Sequence, residues 1–296
     1  MSEQRIEQVA VLGAGGMMGF AIARNLSRSG FGVQAWNRSR EKAEPLREHG
    51  ADIHDEAREA VRDAQLVLTM LADADVVMAV MSGALAEPHT QRELIWVQTS
   101  TIGEEGTRRC QELADARGVK FVDAPVLGSQ EPALERKLVI LASGPDELRD
   151  RLEPLFEAIG RRTLWLGAAG AGSRLKLAIN AWIGVVVEGG AEVLTLAEAL
   201  GCNPRLVLDA LSGGPLDLPY LRMKARKMLE GDFQPSFTLR LAAKDMRLAS
   251  EAAERRQLDL PLLRSVHTRF EEGAREHGDE DMSATYLTLR PSGQGF

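Results

Sequence analysis

The chain has 296 residues, of which 44% are hydrophobic and 27% charged, and its formal net charge at pH 7 is −7. This length allows a large buried core and predicts two domains, while the negative balance argues against nucleic acid or an anionic membrane as a partner. The two cysteines, Cys110 and Cys202, lie far apart without a CxxC motif, which predicts neither a disulfide framework nor a metal site. The polar start MSEQRIEQ and the shortness of the longest apolar run, residues 181–187, favour a cytoplasmic protein without signal peptide or membrane span.

A strand, a glycine-rich turn and a helix open the chain. Residues 6–12 (IEQVAVL) predict a strand, GAGG follows at once, and apolar residues at helical spacing continue to Gly30. Glycines let a backbone approach a pyrophosphate, and a helix N-terminus supplies free N–H groups and a favourable dipole. Cofactor contacts are therefore predicted at Gly13, Gly15, Gly16, Met17 and Met18. The spacing is irregular: with Gly19 it reads GxGxxxG rather than GxGxxG, which predicts a differently shaped phosphate loop.

The second predicted strand, residues 32–36, ends in Asn37, Arg38 and Ser39. An NAD-specific site would have Asp or Glu here to bind the ribose hydroxyls. A guanidinium instead suits a 2′-phosphate, because their hydrogen bonds are charge-assisted. We therefore predict that these three residues contact the cofactor and that NADPH is preferred over NADH; the alternative is that Arg38 is a solvated loop residue.

Apolar runs alternate with helical patterns along the first half of the chain, which predicts a doubly wound parallel sheet of the Rossmann type. The remaining predicted strands are residues 66–71, 94–100, 119–122, 138–142 and 163–166. Ligands of such sheets bind beyond the carboxyl ends of the strands. The rim candidates are Leu71, Ala72, Asp73, Ser100, Thr101 and the turn 125–130.

The character changes after residue 167, so we predict an NADP-binding domain over 1–167 and an all-α domain for substrate binding and dimerisation over 168–296. Ser173 stands where a helix N-cap would be, and one long helix is predicted from there to Gly201. Glycine within a helix costs about 1 kcal/mol relative to alanine. Gly184, Gly189 and Gly190 thus predict close packing against another helix or a ligand. Shorter helices are predicted at 204–211, 219–229, 239–256 and 262–277.

Lys176 and Asn180 lie four residues apart, on one face of the long helix. A lysine on a helix is usually solvated, but here Leu175, Leu177 and Ile179 flank it with apolar side chains. The helix also begins just beyond the last predicted strand, where the two domains are expected to meet. Lys176 and Asn180 are therefore candidate catalytic residues.

The chain resembles the β-hydroxyacid dehydrogenase family (3-hydroxyisobutyrate dehydrogenase-like), in particular its glyoxylate/succinic semialdehyde reductases. The resemblance runs from Val9 to about Arg290. Its segments here are VLGAGGMMGFAIARNL, AWNRS, LTMLAD, QTSTI, DAPVLGSQEPALERKLVILASG, GAAGAGSRLKLAIN, FTLRLAAKDMRLA and DMSAT. The resemblance implies a Rossmann domain followed by a helical domain, and a homodimer or homotetramer with helical domains packed together.

The resemblance also implies roles for single residues. Lys176 matches the family's catalytic lysine and Asn180 its companion asparagine. Thr101 matches the threonine beside the nicotinamide, and Phe237 an aromatic that covers the substrate. Lys244 and Asp245 match a conserved pair near the active site, where we expect Lys244 to contact the cofactor and Asp245 the substrate.

These residue types suit the reduction of a carbonyl by hydride. The reaction places negative charge on oxygen, and a cation within hydrogen-bond reach stabilises that charge and then delivers a proton. The lysine ammonium does both, while the asparagine holds lysine or substrate without adding charge. The hydride itself must come from a nicotinamide.

Leu127 departs from the family, whose motif has a substrate-binding serine at this position. Leucine cannot bind a carboxylate, although Gly128 and Ser129 remain, and we predict contacts of all three with the substrate. The change indicates a less polar or bulkier substrate. Trp182 is either a further substrate contact or a buried aromatic that packs in the interdomain core.

Three functions remain open from the sequence. The first is an NADPH-dependent reductase of a short aldehyde acid, with Lys176 as general acid. The second is an imine reductase, a group similar in fold that generally has another residue in place of the lysine. The third is a non-catalytic NADP-binding module.

Overall fold

The computed structural model describes residues 5–86 and 93–289. The chain divides into two compact units between Lys176 and Leu177. We call residues 1–176 unit 1 and residues 177–296 unit 2. The predicted domain boundary after residue 167 falls shortly before this division and stays a prediction.

Unit 1 contains a six-stranded parallel sheet in the order β3-β2-β1-β4-β5-β6. Its strands are β1 (Gln8–Leu12), β2 (Gly32–Trp36), β3 (Asp52–His54), β4 (Leu66–Thr69), β5 (Ile95–Gln98) and β6 (Lys120–Asp123). Its helices are α1 (Met17–Arg28), α2 (Ala57–Arg62), α3 (Ala74–Ala84) and α4 (Gly103–Ala116). The predicted Rossmann sheet is confirmed.

Separate apolar clusters contain alternate residues of the central strands. Val9 and Val11 of β1 belong to the cluster that includes Leu26 of α1, whereas Ala10 belongs to the one that includes Met81 of α3. Because successive strand residues point to opposite faces, both faces of this sheet are buried. The sheet thereby fixes the carboxyl ends of its strands, where the glycine-rich turn and the rim candidates lie.

The last three strands form a sheet of their own, in the order β7-β8-β9. They are β7 (Val126–Leu127), β8 (Leu138–Ala142) and β9 (Gly160–Trp165), with α5 (Gln130–Leu134) and α6 (Arg149–Ile159) between them. The prediction that residues 138–142 and 163–166 continue the parallel sheet was wrong, and residues 126–127, predicted as part of a turn, form β7. The chain reverses after β6, where Asp123 and Ser143 form an antiparallel bridge, and β7 pairs antiparallel with β8.

Helix α7 (Ala171–Ala199) crosses the division between the units. It begins before Ser173, so the predicted N-cap position of Ser173 was wrong. A Cβ at Gly184 would lie 2.5 Å from Met246 Sδ and one at Gly190 2.3 Å from Leu221 Cδ1, which confirms close packing at both. A Cβ at Gly189 would meet nothing within 4 Å, so no other helix packs closely on this glycine in the described structure, and the alternative of a ligand there stays a prediction.

Helix α7 is also the one helix among the described residues that is long and apolar enough to cross a bilayer, judged by length and composition only. The core helix of a soluble protein meets the same criterion, and 44% of the most apolar window of α7 is buried within the fold. This is weak evidence for a membrane span.

Unit 2 contains the rest of α7 and is helical throughout its described part, as predicted. Its other elements are α8 (Arg205–Leu211), α9 (Pro219–Glu230), α10 (Leu239–Glu254), α11 (Pro261–His277) and a 3₁₀ segment (Met282–Leu289). Their apolar side chains form a separate core that includes Val187, Met228, Met246, Phe270 and Tyr286.

Candidate active site

The glycine-rich turn follows β1 and is shaped by three glycines. Gly13 has φ +96°, and a Cβ there would lie 2.1 Å from Met70 O. A Cβ at Gly19 would lie 2.1 Å from Gly13 O, so only glycine lets α1 pack this closely on the turn. A Cβ at Gly15 would lie 2.6 Å from Asn37 Cγ. The GxGxxxG spacing therefore places its three glycines where close backbone approach requires them.

The start of α1 fits an anionic ligand. Gly16 is the N-cap residue, and Met17 and Met18 form the first turn. In the described structure no side chain caps this helix, and its first turn has no acidic residue. The first N–H groups of a helix have no intrahelical partner and carry the positive end of the dipole. These residues fit the pyrophosphate of a dinucleotide.

Arg38 follows β2, next to this turn. The N–H groups of Gly13 and Ala14 donate to Trp36 O at 2.9 and 3.0 Å, which ties the turn to the end of β2. Asn37 Nδ2 donates to Ser39 O at 2.9 Å and holds the following loop in a tight bend. Arg38 itself is exposed. Its position fits a phosphate on the ribose of a bound dinucleotide.

The rim residues of the neighbouring strands are tied to one another. Ser100 Oγ accepts a hydrogen bond from Leu71 N at 2.8 Å, and Thr99 Oγ1 donates to Thr69 O at 2.7 Å. Thus Leu71 and Ala72 after β4 and Thr101 after β5 lie at the same edge of the sheet as the glycine-rich turn.

One rim candidate has a structural role instead. Asp73 Oδ1 accepts a hydrogen bond from Val76 N at 2.9 Å and so caps α3. A capping aspartate satisfies an otherwise unpaired N–H group, so this residue type is explained by helix stability.

The substrate candidates of unit 1 lie at the start of the second sheet. Leu127 is half-buried and pairs with Val139 of β8. Gly128 has φ +132°, and a Cβ there would lie 2.7 Å from Leu138 Cδ2, so this bend requires glycine. Ser129 precedes α5. The segment offers backbone N–H groups and one hydroxyl, and the apolar Leu127 precedes them in the chain.

Lys176 and Asn180 lie one turn apart on α7 and are both buried, with exposures of 8% and 4%. Asn180 Nδ2 donates to Asp245 Oδ2 at 2.5 Å, and Lys244 Nζ lies 3.2 Å from Asp245 Oδ1. Unit 2 therefore brings together Asn180, Lys244 and Asp245, although 65 residues separate the asparagine from the aspartate.

The two aromatic candidates differ in their surroundings. Phe237 is half-buried against the core of unit 2. Trp182 is 59% exposed, and its role as a substrate contact or as an aromatic of the interdomain core stays a prediction.

A buried ion pair holds the segment that carries Phe237. Lys224 Nζ donates to Asp281 Oδ1 and Oδ2 at 2.7 and 2.9 Å, and both side chains are fully buried. Asp281 also accepts hydrogen bonds from Ser236 N and Oγ, each at 2.9 Å, and from Phe237 N at 3.4 Å.

The hydrogen bonds and opposite charges of this pair favour its ionised form. Burial opposes the charge of Asp281, but Lys224 and the surrounding hydrogen-bond donors lower its pKa to about 2. Burial lowers the pKa of Lys224, and Asp281 opposes that shift. The lowered pKa of Asp281 favours its charged form, whereas the lowered pKa of Lys224 disfavours the charged lysine. The many hydrogen-bond donors around Asp281 favour the carboxylate and hence the ion pair.

The sequence analysis missed two buried carboxylates, Asp123 and Asp281. Both lie in segments that resemble the family, but neither was assigned a role. The sequence signal was the position of each acidic residue: Asp123 ends a buried strand, and Asp281 precedes an apolar 3₁₀ segment. A buried carboxylate requires a partner.

Comparison with known families matches both parts of the chain. Residues 8–167 match the NAD binding domain of 6-phosphogluconate dehydrogenase, and residues 170–289 match the NAD-binding domain family of NADP-dependent 3-hydroxyisobutyrate dehydrogenase. Glyoxylate/succinic semialdehyde reductase 1 of Arabidopsis thaliana is 31% identical over 286 residues, which cover 96% of this chain and 98% of that protein.

Two solved structures have a fold similar to that of this chain. The 3-hydroxyisobutyrate dehydrogenase of Mycobacterium tuberculosis with L-serine has a TM-score of 0.85 and 29% identity, covering 97% of this chain and 100% of the other. Psf3 in complex with NADP+ and 2-OPP has a TM-score of 0.83 and 26% identity, covering 95% and 99%. The fold and these matches define an NAD(P)-dependent oxidoreductase. More closely, the chain belongs to the 3-hydroxyisobutyrate dehydrogenase family.

Proposed function

We propose that this protein is an NADPH-dependent reductase of a short aldehyde acid, with Lys176 as general acid. The burial of Lys176 and Asn180 on one face of α7, with Asn180 bonded to Asp245, carries the proposal. A buried lysine and a buried carboxylate are costly unless function or pairing retains them. The similarity to a glyoxylate/succinic semialdehyde reductase supports the substrate class.

Each residue of the proposed site has its own role in the reaction. A bound dihydronicotinamide supplies the hydride. Lys176 stabilises the charge that develops on the carbonyl oxygen and transfers a proton to that oxygen. Asn180, fixed by its bond to Asp245, orients the hydroxyl of the product. Gly128 and Ser129 bind the carboxylate through N–H groups and a hydroxyl.

The cofactor preference rests on Arg38. It is exposed at the end of β2, beside the glycine-rich turn, where an NAD-specific site would have an acidic residue. The NADP+ bound in Psf3 and the NADP-dependent family match support the same preference.

Replacing Lys176 tests the proton donor. Lys176→Met keeps most of the side-chain volume and should lower kcat about 10²-fold or more, because general acid catalysis contributes about 10²–10⁴. The Kd of NADPH, measured by fluorescence titration, should stay within twofold. Lys137→Met, at an exposed lysine, is the control and should change neither value. A Lys176→Met enzyme with near-full turnover would show that another group donates the proton.

An imine reductase remains the second candidate function, because Leu127 replaces a polar anchor by an apolar side chain. Such an enzyme would act on a less polar C=N substrate and would not need a carboxylate site. The buried lysine disfavours it.

We also propose that the protein assembles as a homodimer or homotetramer through unit 2. Within the described residues, all large apolar side chains that are exposed lie between residues 182 and 262. They are Trp182, Val193, Leu196, Leu200, Leu206, Leu216, Leu218, Met223, Leu258, Leu260 and Leu262. Exposed apolar side chains concentrated in one unit are typical of an interface.

A further inference from the structure

A buried carboxylate, that of Asp123, accepts hydrogen bonds from the first turn of the helix that carries Lys176. Asp123 ends β6 and is fully buried. Its Oδ2 accepts a hydrogen bond from Ser173 N at 2.8 Å, and its Oδ1 accepts one from Ser173 Oγ at 2.7 Å. The carboxylate reaches these atoms across 50 residues of sequence. It therefore replaces the local cap that α7 lacks.

Ser143, which directly follows β8, also forms a hydrogen bond with this first turn. Its Oγ accepts a hydrogen bond from Gly172 N at 3.0 Å and lies 3.2 Å from Asp123 Oδ2, to which it donates. The backbones of Asp123 and Ser143 bond to each other in both directions, at 2.9 and 2.7 Å. Two N–H groups of the first turn, which have no intrahelical partner, are thus held by side chains of neighbouring strand ends.

Packing leaves this turn little freedom. A Cβ at Gly172 would lie 2.0 Å from Leu141 O, so the helix backbone rests directly on β8. Thr107 Oγ1 of α4 lies 2.9 Å from Ser173 Oγ and holds that hydroxyl from its other side. The first turn of α7 is therefore fixed by β6, β8 and α4 together.

The side chain that binds this turn is a carboxylate, although burying a charged group is unfavourable. Burial raises the pKa of Asp123, whereas the hydrogen bonds from Ser173, Ser143 and Gly170 N lower it. A carboxylate accepts hydrogen bonds on two oxygens, as Asp123 does here, whereas an amide or a hydroxyl has a single accepting oxygen. The positive end of the α7 dipole also favours a negative group here.

We propose that Asp123 is a positioning residue for the reaction, because it fixes the first turn of α7 and with it Lys176. Lys176 follows Ser173 by three residues and lies about 4.5 Å further along the helix axis. A helix transmits a shift of its first turn to the next residues, and a misplacement of 1 Å at a reacting group costs about 10²-fold in rate. The inference rests on the proposed role of Lys176.

Asp123→Asn tests the proposal. The amide keeps the shape but offers one accepting atom, and its NH₂ faces donors. We expect kcat with succinic semialdehyde to fall about tenfold or more, with the Kd of NADPH within twofold. Glu188→Gln is the matched control, because Glu188 is also a buried carboxylate bonded to a hydroxyl, that of Thr285, and burial also raises its pKa. Its kcat should stay within about twofold.

A double variant separates positioning from general destabilisation. If Asp123 acts through Lys176, adding Asp123→Asn to Lys176→Met should lower kcat no further, because the two residues act as one unit. A second full loss in the double variant would overturn the proposal and mark Asp123 as structural. Ser173→Ala removes the hydroxyl bonds to Asp123 and Thr107 but keeps the bond from Ser173 N to Asp123. It provides the same test should Asp123→Asn fail to fold, and its expected loss is smaller.

The outcomes also separate this proposal from the proposed function. A slow Lys176→Met enzyme with a fully active Asp123→Asn enzyme would refute only the positioning role. Full activity of Lys176→Met would refute the proton donor and the positioning role with it.

Discussion

Arg38, two residues after β2, is the residue on which the proposed cofactor preference depends. Its neighbours Asn37 and Ser39 are bonded to each other, so the loop is held while the guanidinium stays exposed. A guanidinium–phosphate contact is charge-assisted and stronger than a neutral hydrogen bond. The same side chain has no comparable partner on NADH.

Reversing this charge should therefore separate the two cofactors. Arg38→Asp should raise the Kd of NADPH about tenfold or more, as expected for a lost charged hydrogen bond of about 1.5–3 kcal/mol, and change that of NADH little. Fluorescence titration with both cofactors measures the ratio. Arg162→Asp, at an exposed arginine of β9, controls for net charge. Equal losses for NADPH and NADH would refute the 2′-phosphate contact.

At the residue scale, the sequence singled out candidate side chains but not the contacts that hold them. Lys176 and Asn180 could be found because a polar pair four residues apart interrupts an apolar helix face. The bond from Asn180 to Asp245 could not be found, since periodicity carries no information about contacts 65 residues apart. Asp123 was missed for the same reason.

Among the elements, α7 illustrates the limit of local capping rules. Ser173 has the residue type of an N-cap, yet the helix begins at Ala171 and the serine points its hydroxyl to Asp123. Side chains from other strands supply the acceptors that a local cap normally provides. A boundary set by tertiary contacts cannot be read from the local sequence.

The buried ion pair between Lys224 of α9 and Asp281, which precedes the 3₁₀ segment, should make the stability of unit 2 sensitive to the loss of either partner. Removing one partner leaves a buried charge without compensation, which costs about 3–5 kcal/mol. Asp281→Asn should lower the free energy of unfolding by about that amount in urea. Asp279→Asn breaks an exposed ion pair with Arg240 and should cost less than about 1 kcal/mol. Equal effects of both variants would contradict this account.

The same pair predicts how stability depends on pH. The folded pKa of Asp281, about 2, lies below the unfolded value of about 4, so its carboxylate stabilises the fold above pH 4. This contribution, about 2 kcal/mol, should be lost as the pH falls from about 4 towards 2. The stability difference between wild type and Asp281→Asn should shrink over this range. A difference that stays constant down to pH 2 would contradict the lowered pKa.

Across the whole molecule, the sequence predicted the Rossmann sheet and the helical second half but not the second sheet. Unbroken apolar runs identify strands, but not the sheet to which each strand belongs. The two-residue strand β7 is too short for a periodic signal, and the reversal after β6 depends on backbone pairing between Asp123 and Ser143.

The exposed apolar side chains of unit 2 predict self-association. Light scattering after size exclusion should give two or four times the mass of one chain. Leu196→Glu combined with Leu200→Glu should shift the protein towards monomer, because both side chains are exposed on or directly after α7. Arg161→Glu in unit 1 should have no such effect. A monomeric wild type at micromolar concentration would refute the interface.

The most direct test of the account is the rate of NADPH consumption with succinic semialdehyde and with a cyclic imine that lacks a carboxylate, measured side by side. We expect kcat/KM for the semialdehyde to exceed that for the imine about tenfold or more, because binding the carboxylate adds charge-assisted hydrogen bonds. That result would show that the enzyme accepts the acid with Leu127 in place of a serine. A preference for the imine would contradict the proposed function and mark Leu127 as part of a site for uncharged C=N substrates.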